Sequence, residues 1–181
     1  DQSMIKEGDV WKPGPKVGVG RPLAAGDSNG DGREEVVVAT ESGGGEVRAF
    51  PAGGFDPVVL PGVTGVTAAL AVDHDHDGDL DVVVAGLIGE VSGLWNFQNA
   101  TKPGAGAVAP VLALTSREQC EITTATTSTV AGLVAGDLDE SNDTDLVVFV
   151  SGGPPFCLLS RRQGKFARAE VKGPAATGPG V

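Results

Sequence analysis

The 181 residues carry 24 Asp and Glu against 13 Lys and Arg, a formal net charge of −11, with 28 Gly, 12 Pro, 6 Phe, 2 Trp and no Tyr. Such an acidic chain is repelled by nucleic acid and by anionic membranes and favours multivalent cations, and it has no run of about 18 apolar residues to insert directly into a bilayer. Abundant Gly and Pro, with Val, Ala and Leu as the main apolar types, suit many short strands joined by tight turns within one domain.

In chain order, Asp1-Gln2-Ser3-Met4 has neither an initiator Met nor a charged-then-apolar signal segment, which reads as a processed chain or an excised fragment. Residues 1–16 form a lead-in. Strands are then predicted near Val19–Ala25, Glu35–Thr40, Glu46–Phe50 and Pro57–Leu60, punctuated by turns at Ser42–Gly45, where Gly43-Gly44-Gly45 closes a hairpin, and at Pro51–Gly54. A second set falls near Thr67–Val72, Asp81–Gly86, Gly93–Phe97 and Ala107–Leu114. A third falls near Val130–Gly136, Asp145–Val150, Cys157–Ser160 and Lys165–Val171. The strands Val36–Val38, Val82–Val84 and Leu146–Val150 are continuous apolar runs, so burial on both faces is expected.

Each set has an acidic loop between its first two strands, opening at Asp27, Asp73 and Asp137. The first interval matches the roughly 40 to 50 residues of a four-stranded propeller blade. The second is longer and implies an insertion within Gly104–Thr129. The expected architecture is all-β: three four-stranded antiparallel β-propeller blades over 17–62, 63–128 (with the insertion) and 129–173. Residues 174–181 repeat the lead-in of a further blade. Closed propellers typically have four to eight blades, so other blades or other chains are expected to complete the structure.

Counting each loop from its first Asp, carboxylates alternate with other residues. Asp27, Asn29, Asp31 and Glu35 fill positions 1, 3, 5 and 9 of the first loop, with Gly32 at position 6 where the chain must turn sharply. Asp73, Asp75, Asp77 and Asp81, with Gly78, repeat this in its strongest form. Asp137, Asp139, Ser141 and Asp145 repeat it with a neutral hydroxyl at position 5 and Asn142 at the turn, a residue that tolerates positive φ. Alternating oxygen donors in a tight loop suit a hard cation such as Ca2+, which takes six to eight oxygens. Up to three Ca2+ are expected, the third bound most weakly. Position 7 (Arg33, Asp79, Asp143) is expected to serve through its backbone carbonyl, its side chain pointing outward.

An EF-hand or dockerin reading needs flanking helices, and a repeat-in-toxin β-helix needs Gly-Gly-x-Gly-x-Asp, which is missing. The loops together with their Val-rich strands resemble the FG-GAP or VCBS type of repeat, found in the β-propellers of integrin α-subunits and in many secreted bacterial proteins. The likeness spans about residues 17–172. It implies structural calcium sites on one face of a propeller, in an extracellular, cell-surface or periplasmic setting.

His74 and His76, at loop positions 2 and 4, are expected to project away from the ion. No nucleophile elbow or phosphate-cradling loop occurs, and no catalytic constellation is seen. Cys120 and Cys157 are either a disulfide or two free thiols. Asn99-Ala100-Thr101 and Asn142-Asp143-Thr144 match the N-glycosylation pattern. Arg161, Arg162, Lys165 and Arg168 form a basic cluster, read as a solvated strand edge, and Trp11 and Trp95 are read as core anchors. The function expected is a noncatalytic binding or structural scaffold whose partners are proteins or further blades, with a carbohydrate ligand possible. The alternatives are the propeller portion of a secreted carbohydrate-active enzyme and a subunit of a larger assembly.

Overall fold

The computed structural model describes residues 4–7, 10–13, 20–49, 55–102, 108–114, 129–161 and 166–171, for the first two segments the backbone alone. No helix occurs among them, and hence none long and apolar enough to cross a membrane. The strands are β1 (Met4–Glu7), β2 (Val10–Pro13), β3 (Arg21–Gly26), β4 (Glu35–Ala39), β5 (Gly45–Ala49), β6 (Val58–Leu60) and β7 (Val63–Val72). They continue as β8 (Asp81–Ile88), β9 (Val91–Asn99), β10 (Leu112–Leu114), β11 (Val130–Gly136), β12 (Asp145–Val150), β13 (Phe156–Ser160) and β14 (Phe166–Glu170).

β1 and β2 pair as a hairpin within what the sequence suggested was only a lead-in. The other strands form three four-stranded antiparallel sheets, β3–β6, β7–β10 and β11–β14, each ordered as in the chain. These are the three propeller-like blades that the repeat pattern predicts. The first strand of every blade carries a register shift, at Pro22/Ala24, Thr64/Ala68 and Val130/Gly132, an irregularity that increases local twist. The predicted Gly-rich hairpin is present, with the Gly43 N–H donating to the Thr40 carbonyl and Gly43 at φ 88°.

Blade 2 lies between the other two, and the alternation of β8 shows how. Val82 and Val84 face blade 1, where they join Trp95 and Phe97 against Val37, Ala39, Val47 and Leu60. Val83 and Ala85 face the other way, joining Ala68 and Leu94 against Leu146, Val148, Phe156 and Leu158 of blade 3. Each such aliphatic side chain contributes roughly 1.5–3 kcal/mol by leaving water, so the two seams hold the stack together. Trp95 is the anchor expected of it, 2% exposed, and its indole N–H donates to the Gly86 carbonyl at 3.0 Å.

The expectation of burial on both faces holds for β4 and β8 and fails for β12. Leu146 and Val148 are buried, but Phe149 is 43% and its neighbour across the sheet face, Val134, 52% exposed. Among the described residues nothing packs on that outer face, whose counterpart in blade 2 is covered by blade 3.

Candidate metal centre

The three loops share one closure. Gly26 pairs with Glu35, Val72 with Asp81 and Gly136 with Asp145, leaving the same short excursion each time. To turn within it the backbone goes left-handed twice. Position 6 does so as expected, at Gly32 (φ 83°), Gly78 (φ 96°) and Asn142 (φ 62°). Position 4 does so as well, at Gly30 (φ 71°), His76 (φ 63°) and Glu140 (φ 60°). Gly30 is the clearest hint of this; His adopts positive φ more readily than most residues, and Glu gives no such signal.

The position 1 carboxylate organises the turn. Asp27 accepts N–H bonds from Gly30, Asp31 and Gly32, and Asp137 from Ser141 and Asn142. Asp73 accepts one from Gly78. In loop 2 the carboxylates of Asp73, Asp75 and Asp77 come together, and in loop 3 those of Asp137, Asp139 and Asp145, each trio having oxygens within 4.8 Å of one another. Both clusters could hold a metal ion. Loop 1 gathers no such trio; its position 3 residue, Asn29, is buried, with its amide donating to the Val108 carbonyl at 2.9 Å and its oxygen accepting from the Asp31 N–H.

Position 9 has a further job that spacing alone does not suggest. Glu35, Asp81 and Asp145 are 3%, 0% and 0% exposed. Asp81 accepts the His74 N–H on one oxygen and the Asn99 N–H on the other, and Asp145 accepts those of Leu138 and Ser160. Glu35 accepts the backbone N–H and hydroxyl of Ser28. These carboxylates clasp the start of the loop, and in blades 2 and 3 also the end of the third strand.

The donor chemistry of loop 2 fits a hard divalent cation. Asp73 Oδ1 and Asp79 Oδ1 are buried without any hydrogen-bond partner, and four carboxylates crowd together. Burial pushes Asp81 up to about 7, against its two N–H bonds, and Asp79 up to about 6, helped by Asp77. An ion among these oxygens would relieve both desolvation and mutual repulsion. Burial likewise raises Glu35. Asp139 is lowered, chiefly by the Ser141 hydroxyl and then by Arg161.

At position 7 the outward side chain expected from the sequence is found at Arg33, which is exposed, and not at the other two. Asp79 and Asp143 are half-buried, with Asp143 Oδ1 3.8 Å from His76 Nε2 of the neighbouring loop. The Asp143 carboxylate is thus turned toward the neighbouring blade. His74 does point away from its loop, into the seam between blades 2 and 3, with ring centroids 5.2 Å from Phe166; burial lowers its pKa and keeps it neutral.

Several contributors escaped the sequence reading. Asn99, 1% exposed, donates its amide to the carbonyls of Ser28 and Leu80 and accepts from Thr101; it is a brace between loop 1 and blade 2, too buried to serve as a glycan acceptor. Gln98 donates to the Asp75 carboxylate. The basic cluster is divided up: Arg161 binds Asp139 at 3.0 Å, and Arg168 lies 4.0 Å over the Phe156 ring, whereas Arg162 and Lys165 lie outside the described residues. Cys157 is a half-buried free thiol; Cys120, most of the insertion, the lead-in 174–181 and the side chain of Trp11 also lie outside them.

No curated protein and no solved structure matches the chain. The family model of the FG-GAP-like repeat matches residues 27–84, a stretch that opens on Asp27, crosses the rest of blade 1 and the second loop, and ends inside β8. Residues 27–84 are therefore similar to an FG-GAP-like repeat, set in a propeller-like stack of blades.

Proposed function

We propose that the chain is a calcium-stabilised, noncatalytic scaffold that works in an extracellular, cell-surface or periplasmic setting. Loop 2 carries this reading: three converging carboxylates, a fourth beside them, and two buried oxygens without partners. Asp73, Asp75 and Asp77 would hold the ion, with Asp79 close by; Asp137, Asp139 and Asp145 are the corresponding group in loop 3. Bound calcium would supply positive charge, and the chain's own residues shape the turn and clasp it to the sheet. Extracellular calcium modules bind at roughly 10⁻⁴ to 10⁻³ M, which suits a compartment with millimolar calcium. The open outer face of blade 3, with Val134 and Phe149, is the surface offered to a further blade or a protein partner.

Thermal melting in calcium and in chelator tests the reading. At a concentration 100 times Kd one site stabilises by about 2.7 kcal/mol, or roughly 5–10 °C for a chain of this size. An identical midpoint in both buffers refutes it.

A further inference from the structure

Loops 2 and 3 share backbone form but differ in what meets their position 3 carboxylate. In loop 2, Asp75 accepts from Gln98, a neutral donor, and among the described residues no Lys or Arg reaches Asp73, Asp75, Asp77 or Asp79. In loop 3, Asp139 accepts from Arg161, whose Nη1 lies 3.0 Å from Asp139 Oδ2 and 3.0 Å from the Ser160 carbonyl. Ser160 is the residue whose N–H holds Asp145 at 2.7 Å, so the guanidinium is fixed to the same strand end that clasps the loop. The matching strand end in blade 2 is Asn99, which holds Asp81, and the residue after it is Ala100, exposed and without charge. Loop 3 also has neutral Ser141 where loop 2 has Asp77. At the alternating loop positions it thus combines one carboxylate fewer with one cation more, although Glu140 stands where loop 2 has His76.

We propose that Arg161 is a built-in counter-cation for loop 3, so that this loop keeps its folded shape without a metal ion while loop 2 depends on one. The proposal rests on the calcium reading of loop 2. It makes the two loops unequal by design: loop 2 is the calcium-responsive element, and loop 3 a fixed copy stapled by an arginine. A guanidinium satisfies a carboxylate with directed N–H bonds and a full charge, but it also repels an incoming divalent ion a few ångström away.

Hydrogen exchange followed by mass spectrometry on the 181-residue chain, in calcium and in chelator, tests this. In the wild type, chelation should lower protection of peptides covering 73–81 and leave those covering 137–145 unchanged. Arg161→Gln should make loop 3 calcium-dependent as well, its protection falling up to about fivefold on chelation, the upper end of the range expected for losing one exposed ion pair. Arg161→Lys keeps the charge and should behave as the wild type. If both loops of the wild type lose protection together, or if Arg161→Gln leaves loop 3 indifferent to calcium, the counter-cation idea is overturned while the calcium reading stands. If loop 2 itself ignores the chelator, the calcium reading fails and the proposal falls with it.

Discussion

Replacing Asp145 by Asn separates two roles that a position 9 carboxylate can play. The group is fully buried, with the Ser160 N–H at 2.7 Å on one oxygen and the Leu138 N–H at 2.8 Å on the other. Asn keeps the shape and one acceptor, but its NH2 must face the remaining N–H. One hydrogen bond to a charged group, about 1.5–3 kcal/mol, is lost, and one buried donor is stranded at about 1–3 kcal/mol. The two costs overlap, so a loss of about 2–4 kcal/mol is expected, or roughly 5–15 °C in melting midpoint. Because both partners are backbone amides of the chain, the loss should be present in chelator as well as in calcium, by thermal melting or urea titration. A cost below about 0.5 kcal/mol in chelator, with a large one only in calcium, would show that Asp145 acts as a metal ligand and not as a clasp.

Gly78→Ala should cost roughly 1–2 kcal/mol by urea titration, purely through the backbone, since φ is 96° and an added Cβ meets nothing within 4 Å; a neutral result would mean that the turn can be remade. Trp95→Ala, in the seam between blades 1 and 2, should cost about 3–5 kcal/mol in the same assay. The pH response follows from Asp81 and Asp79, raised from 3.8 to about 7 and about 6. The folded state binds these protons more tightly than the unfolded one, so their stabilising contribution is full below about pH 4 and is lost as pH rises through 6 and 7. In chelator the carboxyls should therefore make the melting midpoint fall between about pH 4.5 and 7 and level off above that, with His74, whose pKa burial lowers, adding a slope of opposite sign, and saturating calcium should flatten the carboxyl slope; a slope unaffected by calcium contradicts the arrangement of loop 2.

The strands and loops were readable from the chain because the signals that set them are local. A Val-rich run after an alternating acidic turn fixes β4, β8 and β12 whatever lies elsewhere, and Gly32 and Gly78 announce their turn through backbone freedom. What escaped depends on residues brought together from far apart. Asn99 looked like a sequon residue, yet its amide bonds the Ser28 carbonyl of another blade. Arg161 looked like part of a solvated cluster, yet it faces Asp139. Asp79 and Asp143 are expected to point outward by analogy with other loops of this spacing, yet both are half-buried, and Asp143 lies beside His76 of the neighbouring blade. The exposure of Phe149 follows from the same cause: a strand's pattern of apolar residues states that both faces are fit for burial, not that both are covered.

In blades 2 and 3 one buried carboxylate grips the entrance of its loop and the final residue of the third strand, while itself belonging to the second. Three segments distant along the chain thus share a single rivet, and a tug on any one of them is borne by all three in shear. Such a stack should stretch stiffly and give way in steps, one rivet at a time.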